Sequence, residues 1–332
     1  MDFTLIVFAL GPLVAGWLLD MALGDPAWLP HPVVGFGRLI AAGERWLNRP
    51  SQPVGAQQLG EERPSRARAR MYKGMALAVG LIAAAAAATW GLLAGLAKVS
   101  PWLWATGATV LIFCSLAGRT LRKEVREVFR AVDRSTEEGR AQVARIVGRD
   151  TSGLSEQEVR TAALETLAEN LSDGVVAPLF WLAVGGVPAM VAYKMVNTLD
   201  SMIGYRSERY AEFGRVAARI DDAANWIPAR LTAVLMIAVT GRPALWSFVR
   251  RFGRAHASPN SGWPEAALAA ILDCRFGGAH DYFGQRVEKP HIGVRERPLT
   301  TGDMERAIRI NRLVEVVAVL LVAGVVALKM VL

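Results

Sequence analysis

The chain has 332 residues, of which 52% are hydrophobic and 20% are charged, and its formal net charge is +8. Disordered chains combine high net charge with few apolar residues, so this composition excludes that class. The two cysteines, Cys114 and Cys274, are too few for a disulfide scaffold or a cysteine zinc cluster. A composition that is both apolar and basic indicates that part of the chain lies in lipid.

Four segments are apolar enough to cross a membrane, which takes about 20 residues of helix. The first lacks the basic start and the cleavage site of a signal peptide, so we predict that it is retained. The predicted spans are residues 3–23, 74–97, 102–117 and 314–332. They predict an all-α, polytopic integral membrane protein whose 332 residues form a single membrane-embedded domain.

Two further apolar segments, residues 174–192 and 227–241, are ambiguous. The first is interrupted by Gly185, Gly186 and Pro188, a break that suits a re-entrant helix as well as a span. The second has only about 15 residues, which is short for a span. Irregular backbone at membrane depth is tolerated only where protein or a cavity covers it.

The basic residues predict the orientation, because loops rich in Lys and Arg stay in the cytoplasm. They are concentrated between the first two predicted spans, after the third, and in residues 242–312. We therefore predict a multi-pass protein of the cell (inner) membrane with its N-terminus outside and its catalytic loops in the cytoplasm. Crossing by only one ambiguous segment is disfavoured, because it would place residues 242–312 outside. The same distribution explains the positive charge without nucleic acid as a partner.

Outside the spans, the sequence predicts one disordered loop and two helices. Residues 50–70 are rich in Pro, Gln, Glu and Arg, which is typical of a disordered segment. Apolar residues recur at helical spacing over residues 119–134. Ser155 and Glu158 form a capping-box pattern that begins a second helix. The apolar stripe of that helix is Val159, Ala163, Leu167 and Leu171.

Common catalytic motifs such as the phosphate-binding GxxxxGK[ST], HExxH and GxSxG are absent from the sequence. Four polar clusters stand instead in or beside apolar sequence, where charged side chains are costly. The first is residues 23–32, a proline-rich turn directly after the first span that contains His31. The second is the helical face that carries Glu165, Glu169 and Asp173. Each has a plain structural alternative, a span terminator for the first and a solvated acidic face for the second.

The third cluster begins on one helical face and continues through a second segment. The face carries Tyr193, Lys194, Asn197, Asp200 and Ser201, and the second segment carries Arg219, Asp221, Asp222, Asn225 and Arg230. Carboxylate and amide oxygens are ligands suited to Mg²⁺ that holds nucleotide phosphates, and the cations are suited to phosphate or carboxylate groups. The alternative interpretation is a structural network of ion pairs between helices.

The fourth cluster, residues 256–265, places polar side chains before a predicted helix N-terminus. His256, Ser258, Asn260 and Ser261 precede Pro264, which is a favoured residue in the first turn of a helix. Hydroxyl and amide groups at a helix N-terminus can bind an anion. The alternative interpretation is an ordinary N-cap.

In this order, the four clusters resemble the CobD/CbiB family of adenosylcobinamide-phosphate (cobinamide) synthases. The similar strings are GDPAWLPHPV at Gly24–Val33, ENLSDGVVAPLFW at Glu169–Trp181, YKMVNTLDSMIGY at Tyr193–Tyr205, FGRVAARIDDAANWIPARLTA at Phe213–Ala233 and SPNSGWPEAA at Ser258–Ala267. One departure is Ala257, at a position where the family usually has proline.

The resemblance implies an enzyme of cobalamin (vitamin B12) biosynthesis. It would join the propionate carboxyl of adenosylcobyric acid, a corrinoid, to (R)-1-aminopropan-2-ol or its O-phosphate by an amide bond. ATP and Mg²⁺ are the expected cofactors, and the expected partners are these small-molecule substrates, membrane lipid and other enzymes of the pathway. The sequence leaves the oligomeric state and the choice of acceptor open.

Combining this reaction with the four clusters assigns hypothetical roles to residues. For the catalytic role we predict Asp173 or Glu169 as the base, with Lys194 as a cationic group and His31 as a base or supporting residue. Asp200, Asp221 and Asp222 are the predicted metal ligands. The predicted substrate- and phosphate-binding residues are Asn197, Ser201, Arg219, Asn225, Arg230, His256, Ser258 and Asn260.

Three other functions fit some of these features. A corrinoid-binding transporter would also have broken helices, but it would usually have more spans and two similar halves. A non-catalytic sensor relative would be expected to lose part of the aspartate set, which is complete in this sequence. A substrate-channelling scaffold would not need so many converging polar side chains.

Overall fold

The computed structural model of the chain describes residues 3–26, 28, 30–49, 64–278, 280–282, 285–287 and 290–331. Its helices are α1 (Phe3–Leu23), α2 (Pro32–Leu47), α3 (Pro64–Val99), α4 (Pro101–Ser115), α5 (Gly118–Arg134), α6 (Thr136–Val143), α7 (Glu156–Leu171), α8 (Ala177–Ile203), α9 (Arg215–Ala224), α10 (Trp226–Thr240), α11 (Trp246–Phe252), α12 (Gly262–Leu272) and α13 (Thr301–Val331). A π-helical turn, Ser172–Val176, joins α7 to α8, and a 3-10 turn, Pro243–Leu245, precedes α11. Two three-residue strands, β1 (His280–Tyr282) and β2 (Gln285–Val287), form an antiparallel hairpin.

The prediction of an all-α, polytopic membrane protein is confirmed. Within the described residues, the helical runs long and apolar enough to cross a membrane are Ser65–Val99, Pro101–Arg134, Glu156–Ile203 and Thr301–Val331. Helices α9 and α10, bent by 43° relative to each other, together form one further candidate. Helix α1 is a shorter apolar helix.

The predicted spans coincide with helices. Residues 3–23 form α1, residues 74–97 lie inside α3, and residues 314–331 form the second part of α13. The third predicted span, residues 102–117, is two residues too long because α4 ends at Ser115. There Leu116 adopts an extended backbone, and the chain turns into α5.

The two amphipathic helices form as the apolar spacing predicts. In α5, the apolar residues of the predicted stripe are buried, and Val125, Val128 and Phe129 have no exposed surface. In α7, the stripe from Val159 to Leu171 is buried, and the Ser155–Glu158 capping box is formed. Both stripes belong to the larger apolar core, which also includes residues from α10, α12 and α13.

The prediction of disorder over residues 50–70 is wrong at its C-terminal end. Residues 50–63 lie outside the described residues, and α3 begins at Pro64. Pro fits the first turn of a helix, and the alternating Arg and Ala residues that follow have high helix propensity. Arg70 also donates hydrogen bonds to the backbone carbonyls of Glu208 and Arg209, which fixes this end of α3 to the loop after α8.

An ion pair between the exposed Arg209 and the buried Glu44 holds the loop between α8 and α9 against α2. Arg209 donates to both carboxylate oxygens of Glu44, at 2.9 Å each, and Asn48 donates to Glu44 and to the carbonyl of Arg209. Burial alone would raise the pKa of the Glu44 carboxyl, but the hydrogen bonds from Arg209 and Asn48 bring that pKa below its ordinary value.

The ambiguous segment 174–192 forms a helical hairpin. The Tyr193 hydroxyl oxygen lies 3.3 Å from the carbonyl oxygen of Asp173, 20 residues earlier, whereas a straight helix would separate these residues by about 30 Å. The reversal is at Gly185 and Gly186, which have non-helical backbone angles. Gly186 has φ +71°, a conformation that a residue with a side chain adopts rarely. The hairpin arms are therefore Ala177–Val184 and Val187–Ile203.

The other ambiguous segment, residues 227–241, forms α10 and its C-cap. The helix follows α9 directly at Asn225 and ends at Gly241, whose backbone is left-handed. A helix of this length spans about 22 Å, which is less than the hydrocarbon core of a bilayer. Helix α10 therefore needs α9 as a continuation to reach across a membrane.

The hairpin tip is completed by the last helix. Pro188 has no N–H, so the carbonyl of Val184 lacks the donor that a regular helix provides. The Nζ of Lys329, near the end of α13, donates to the carbonyls of Ala183 at 2.6 Å and Val184 at 3.3 Å. This contact satisfies backbone groups that would otherwise be costly in lipid.

Replacing Lys329 should therefore destabilise the protein. We expect Lys329→Met to lower the free energy of unfolding by about 1–3 kcal/mol, because two tip carbonyls lose their donor. Thermal unfolding in detergent should show a midpoint reduced by several degrees, and Lys329→Arg should restore it. Lys98→Met, at the exposed end of α3, is the matched control. An equal midpoint for Lys329→Met and Lys98→Met would contradict the assignment.

Candidate functional site

The site is built around the π-helical turn that leads into the hairpin. Asp173 is the second residue of this turn, and π turns inside helices are frequent at functional sites. The backbone N–H of Ala117, between α4 and α5, donates to the carbonyl of Gly174 at 3.1 Å and anchors the turn. The hydroxyl oxygen of Ser172 is buried there without a hydrogen-bond partner.

A chain of hydrogen bonds joins the returning arm of the hairpin to α9. The Tyr193 hydroxyl, besides its contact with Asp173, donates to Oδ1 of Asn225 at 2.8 Å. The Nδ2 of Asn225 then donates to Oδ2 of Asp221 at 3.0 Å. Tyr193 and Asn225 are almost completely buried, with 2% and 1% of their surfaces exposed. The second oxygen of Asp221 is therefore held in a fixed direction, and it is buried without a hydrogen-bond partner.

Five carboxylates converge on this chain of hydrogen bonds. Asp173 interacts electrostatically with Glu169, Asp200 and Asp221, and Asp221 interacts also with Asp222. The elements that supply these groups are α7, the π turn, the second hairpin arm and α9. The structure thus brings together five acidic residues from two of the predicted clusters.

Lys194 links this carboxylate cluster to the first polar cluster of the sequence. Its side chain interacts electrostatically with Asp173 and also with Asp20 and Asp25. Asp25 is anchored by its backbone N–H, which donates to the Thr120 hydroxyl at 2.8 Å. His31 therefore lies near the site, because its Nε2 is 3.5 Å from Oδ1 of Asp25.

The orientation of His31 follows from its position before α2. Its Nδ1 accepts a hydrogen bond from the backbone N–H of Val33, so the neutral ring carries its proton on Nε2. That proton faces Asp25. The pair Asp25–His31 is fixed by two backbone contacts, one on each residue, and it stands beside Lys194.

The predicted metal ligands interact with one another but do not form a complete metal site. Asp200, Asp221 and Asp222 interact electrostatically. Within the described part of the chain, however, no group of three or more His, Cys, Asp or Glu side chains has the geometry to hold a metal ion. Mg²⁺ commonly takes only one or two protein carboxylates and completes its shell with water and phosphate oxygens. The unpartnered oxygen of Asp221 fits such a partial site.

The fourth cluster holds Arg230 in place. Both terminal nitrogens of Arg230 are engaged, one with Oδ1 of Asn260 and the carbonyl of Trp226, the other with the carbonyl of Pro259. The guanidinium also stacks on the rings of Trp226 and Trp263. Asn260 in turn donates to the carbonyl of Asp222 at 2.8 Å. These contacts fix the loop before α12 against α9.

Ser258 and His256 are likewise used inside this loop. The Ser258 hydroxyl accepts from the backbone N–H groups of Asn260 and Ser261, and Nδ1 of His256 accepts from the N–H of Ser258. The Ser261 hydroxyl donates to Oε1 of Glu169 at 2.8 Å, which ties the loop to the carboxylate cluster. Ser258 thus closes a turn before α12, whose N-cap residue Ser261 makes no side-chain capping hydrogen bond and contacts Glu169 instead.

Two other predicted residues lie at the margin of the site. Arg219 is exposed and interacts electrostatically with Asp222. Ser201 is exposed, and its hydroxyl donates to the carbonyl of Asn197 one turn earlier, as serine often does on a helix surface. The structure therefore brings Arg219 to the carboxylate cluster and uses the Ser201 hydroxyl within its own helix.

Sequence reasoning missed several residues that shape the site. The helical spacing places Tyr193 on a polar face, but it does not show that Tyr193 is part of a hydrogen-bond chain with Asn225 and Asp221. Arg149 and Glu265 were not singled out, although both line a polar cavity beside Glu169. Glu265 follows Pro264 in the predicted first turn of a helix. Acidic residues are common there because they stabilise the helix N-terminus, so the sequence does not mark Glu265 as a site residue. Arg149 lies in the loop after α6, where no spacing pattern marks it.

Comparisons with known proteins point to the same family as the four polar clusters. The family described as "CobD/Cbib protein" matches residues 13–311. "Cobalamin biosynthesis protein CobD" of Geobacter metallireducens is 45% identical over 315 residues, which cover 92% of this chain and 93% of the relative. CobD of Klebsiella pneumoniae is 41% identical over 315 residues, covering 93% and 95%. "Cobalamin biosynthesis protein CbiB" of Salmonella choleraesuis is 40% identical over 300 residues, covering 89% and 90%.

No solved structure matches this chain. The family match extends from the first helix into the last one, so it contains the hairpin, the carboxylate cluster and the loop before α12. The similar relatives are matched over nearly their whole length. The chain therefore belongs to the CobD/CbiB family.

Proposed function

We propose that this chain is an enzyme of cobalamin biosynthesis that joins adenosylcobyric acid to (R)-1-aminopropan-2-ol or its O-phosphate by an ATP-dependent amide bond. The observation that carries this proposal is the cluster of five carboxylates beside Lys194, anchored by the Tyr193–Asn225–Asp221 hydrogen bonds. The names of the relatives support the pathway. The residues support a reaction that needs a base, a cation and a means of holding phosphate.

The chemistry of amide formation explains why these groups belong together. A carboxylate does not acylate an amine unaided, and phosphorylation by ATP converts it into an acyl phosphate with a good leaving group. The phosphate charges must then be neutralised, and the incoming ammonium must lose a proton before it attacks. In this site, a carboxylate can accept the proton of the amine, and Lys194 can neutralise negative charge on the phosphate.

Magnesium fits the carboxylate cluster in part. We assign Asp221 as its first ligand, because one of its oxygens is buried and unpartnered while the other is fixed by Asn225. Asp200 and Asp222 are the further candidates for contact, directly or through water. Mg²⁺ supplies charge neutralisation for the phosphates when bound. Asn225 holds Asp221 in position, and the exposed guanidinium of Arg219 lies beside Asp222 to receive phosphate.

We assign the removal of the amine proton and the binding of the corrinoid carboxyl to the groups around Lys194. Asp173 and Glu169 are the candidate bases, and Lys194 orients the carboxylate that is to be activated. His31 supports Lys194 through Asp25. The terminal nitrogens of Arg230, on α10, are engaged with Asn260 and neighbouring carbonyls, and the Ser258 hydroxyl accepts from the N–H of Asn260. Both residues therefore act by holding Asn260 against α9.

The hairpin sharpens the proposed topology. If residues 174–192 re-enter, the arginine-rich segment 242–312 stays in the cytoplasm only if α9 and α10 do not cross either. The proposed arrangement is four crossings of the inner membrane, with α7, α9 and α12 on the cytoplasmic side. Reporter fusions after Tyr205 and after Arg254 should both give cytoplasmic signals. A periplasmic signal after Arg254 would contradict this orientation.

The direct test is the reaction itself. Purified protein in detergent, with adenosylcobyric acid, ATP, Mg²⁺ and either acceptor, should form adenosylcobinamide or its phosphate, detected by mass spectrometry. We expect Asp221→Asn to lower kcat at least about 100-fold, because the transition state loses a charged contact. Glu127→Gln, an exposed change on α5, should keep full activity.

The same assay separates the other candidate functions. Binding of the corrinoid without product would favour a sensor, a scaffold or a transporter over an enzyme. Full activity of Asp221→Asn would overturn the metal assignment while leaving the reaction intact. The acceptor that gives the higher kcat/KM is the substrate of this chain.

Tyr193 should act by positioning. We expect Tyr193→Phe to reduce activity about 10–100-fold, as is typical when a residue that orients a metal ligand is removed. The diagnostic result is a higher Mg²⁺ concentration for half-maximal rate, since Asn225 no longer holds Asp221 in one orientation. A lower rate with an unchanged Mg²⁺ requirement would refute this role.

A further inference from the structure

A groove of about 580 Å³ lies at the C-terminal end of α10, and the residues that line it are separate from those of the carboxylate cluster. Its walls come from the last two turns of α10, the turn after that helix and the first residue of α11. Small-molecule sites commonly have volumes of about 300–1,000 Å³. The groove is therefore large enough for a ligand of its own.

The local sequence produces this groove by ending α10 abruptly. Gly241 follows the helix with φ +64°, a left-handed conformation that glycine adopts without strain. Pro243 then begins the 3-10 turn that leads into α11. As a result, Arg242, Pro243 and Trp246 line the groove together with the end of α10.

The lining is apolar except for one side chain. Its uncharged residues are Val234, Ile237, Ala238, Gly241, Pro243 and Trp246. Val234, with 45% of its surface exposed, and the exposed Ala238 leave the groove open along α10. Helix α10, taken together with α9, is also apolar enough to be a candidate for membrane insertion. An exposed apolar groove on such a helix is suited to lipid rather than to water.

The charged residue of this lining, Arg242, is exposed and unpaired. Within the described part of the chain, its guanidinium makes no hydrogen bond or ion pair. The sequence between Asp222 and Glu265 contains five arginines and no acidic residue. The exposed ones among them are Arg242, Arg250, Arg251 and Arg254. This stretch therefore carries positive charge that is complementary to an anionic ligand.

The groove has an apolar part and a polar end. Val234 lies about 9 Å along the helix from Thr240, so the apolar wall extends away from Arg242. Trp246 lines the groove as well, and tryptophan is enriched where the hydrocarbon core of a membrane meets the lipid headgroups. Its ring lies 6.1 Å from that of Trp263 on α12, which fixes its position. A phospholipid, with an apolar chain and a phosphate, matches this distribution of polarity.

We propose that this groove binds one anionic phospholipid of the membrane, with an acyl chain along α10 and the headgroup phosphate at Arg242. A zwitterionic headgroup also carries a phosphate, but its cationic group would meet the surplus of exposed arginines. A soluble phosphate compound would leave the apolar wall uncovered. The site is independent of the reaction, because none of its lining residues has a proposed role in catalysis or substrate binding.

The lipid also supports the loop before α12. Trp246 contacts Trp263, and Arg230 stacks on Trp263 while it binds Asn260. A lipid that packs on Trp246 therefore stabilises one side of these contacts. Because a ligand that binds only the folded protein raises its thermal unfolding midpoint, an anionic phospholipid should raise that midpoint more than a zwitterionic one.

The binding is tested with two lipids that differ only in the headgroup. Full-length protein in detergent, freed of lipid by detergent exchange, is titrated with phosphatidylglycerol or phosphatidylcholine of identical acyl chains, and bound lipid is counted by native mass spectrometry. We expect the first phosphatidylglycerol to bind at least about fivefold more tightly, which is the contribution of one basic residue near an anionic surface. Glycerol 3-phosphate, which lacks the chains, should not bind.

Two variants at exposed positions locate the binding in the groove. Arg242→Gln should remove the preference for phosphatidylglycerol, whereas Arg38→Gln, an exposed change on α2, should leave it intact. Ala238→Trp fills the groove without changing its charge and should weaken the binding of both lipids about tenfold or more. Thermal unfolding without lipid verifies that each variant is folded.

The comparison in the unmodified protein can by itself overturn the proposal. Equal affinity for phosphatidylglycerol and phosphatidylcholine would show that the groove holds ordinary surrounding lipid. Tight binding of glycerol 3-phosphate would refute the role of the acyl chain. An unchanged preference in Arg242→Gln, or displacement of the lipid by adenosylcobyric acid, would equally refute a lipid site at this position.

Discussion

The concentration of negative charge in an apolar protein is the constraint on which the rest of the site depends. Asp173, Asp200, Asp221, Asp222 and Glu169 form a cluster of electrostatically interacting carboxylates, and Lys194 interacts with Asp173, Asp20 and Asp25. Such an arrangement is unfavourable until cations and hydrogen-bond donors complete it. The protein supplies rigid donors from Tyr193, Asn225 and Ser261 and leaves the remaining compensation to ligands. The free energy that these uncompensated carboxylates cost the folded protein is recovered when a ligand compensates them, and this favours binding.

The reversal of the chain at Gly185 and Gly186 creates this concentration. In a straight helix, Asp173 and Asp200 would stand on the order of 40 Å apart, and no common site would exist. The hairpin returns Tyr193, Lys194 and Asp200 to the level of the π turn, where α9 adds Asp221 and Asp222. The helical hairpin therefore forms one wall of the candidate site.

The sequence predicts the helices and much of the acidic set, but not the connections between them. Apolar spacing identifies α5 and α7, and the cost of carboxylates near lipid draws attention to Asp173, Asp200 and Asp221. Helical periodicity carries no information about a reversal of the chain. Only a tertiary contact, that between Tyr193 and Asp173, shows that residues 174–192 fold back. For the same reason the polar cavity escaped prediction, since Arg149 and Glu265 are far apart in the sequence and meet only after folding.

The bond between Lys329 and the hairpin tip has a consequence for the order of assembly during synthesis. Its acceptors at positions 183 and 184 leave the ribosome about 145 residues before its donor. At translation speeds of about 5–20 residues per second, the tip waits on the order of ten seconds for its last partner. Until then, either these two carbonyls need other hydrogen-bond donors, or the hairpin forms only later. The candidate site formed by that bend is therefore among the last parts of the molecule to reach its final structure.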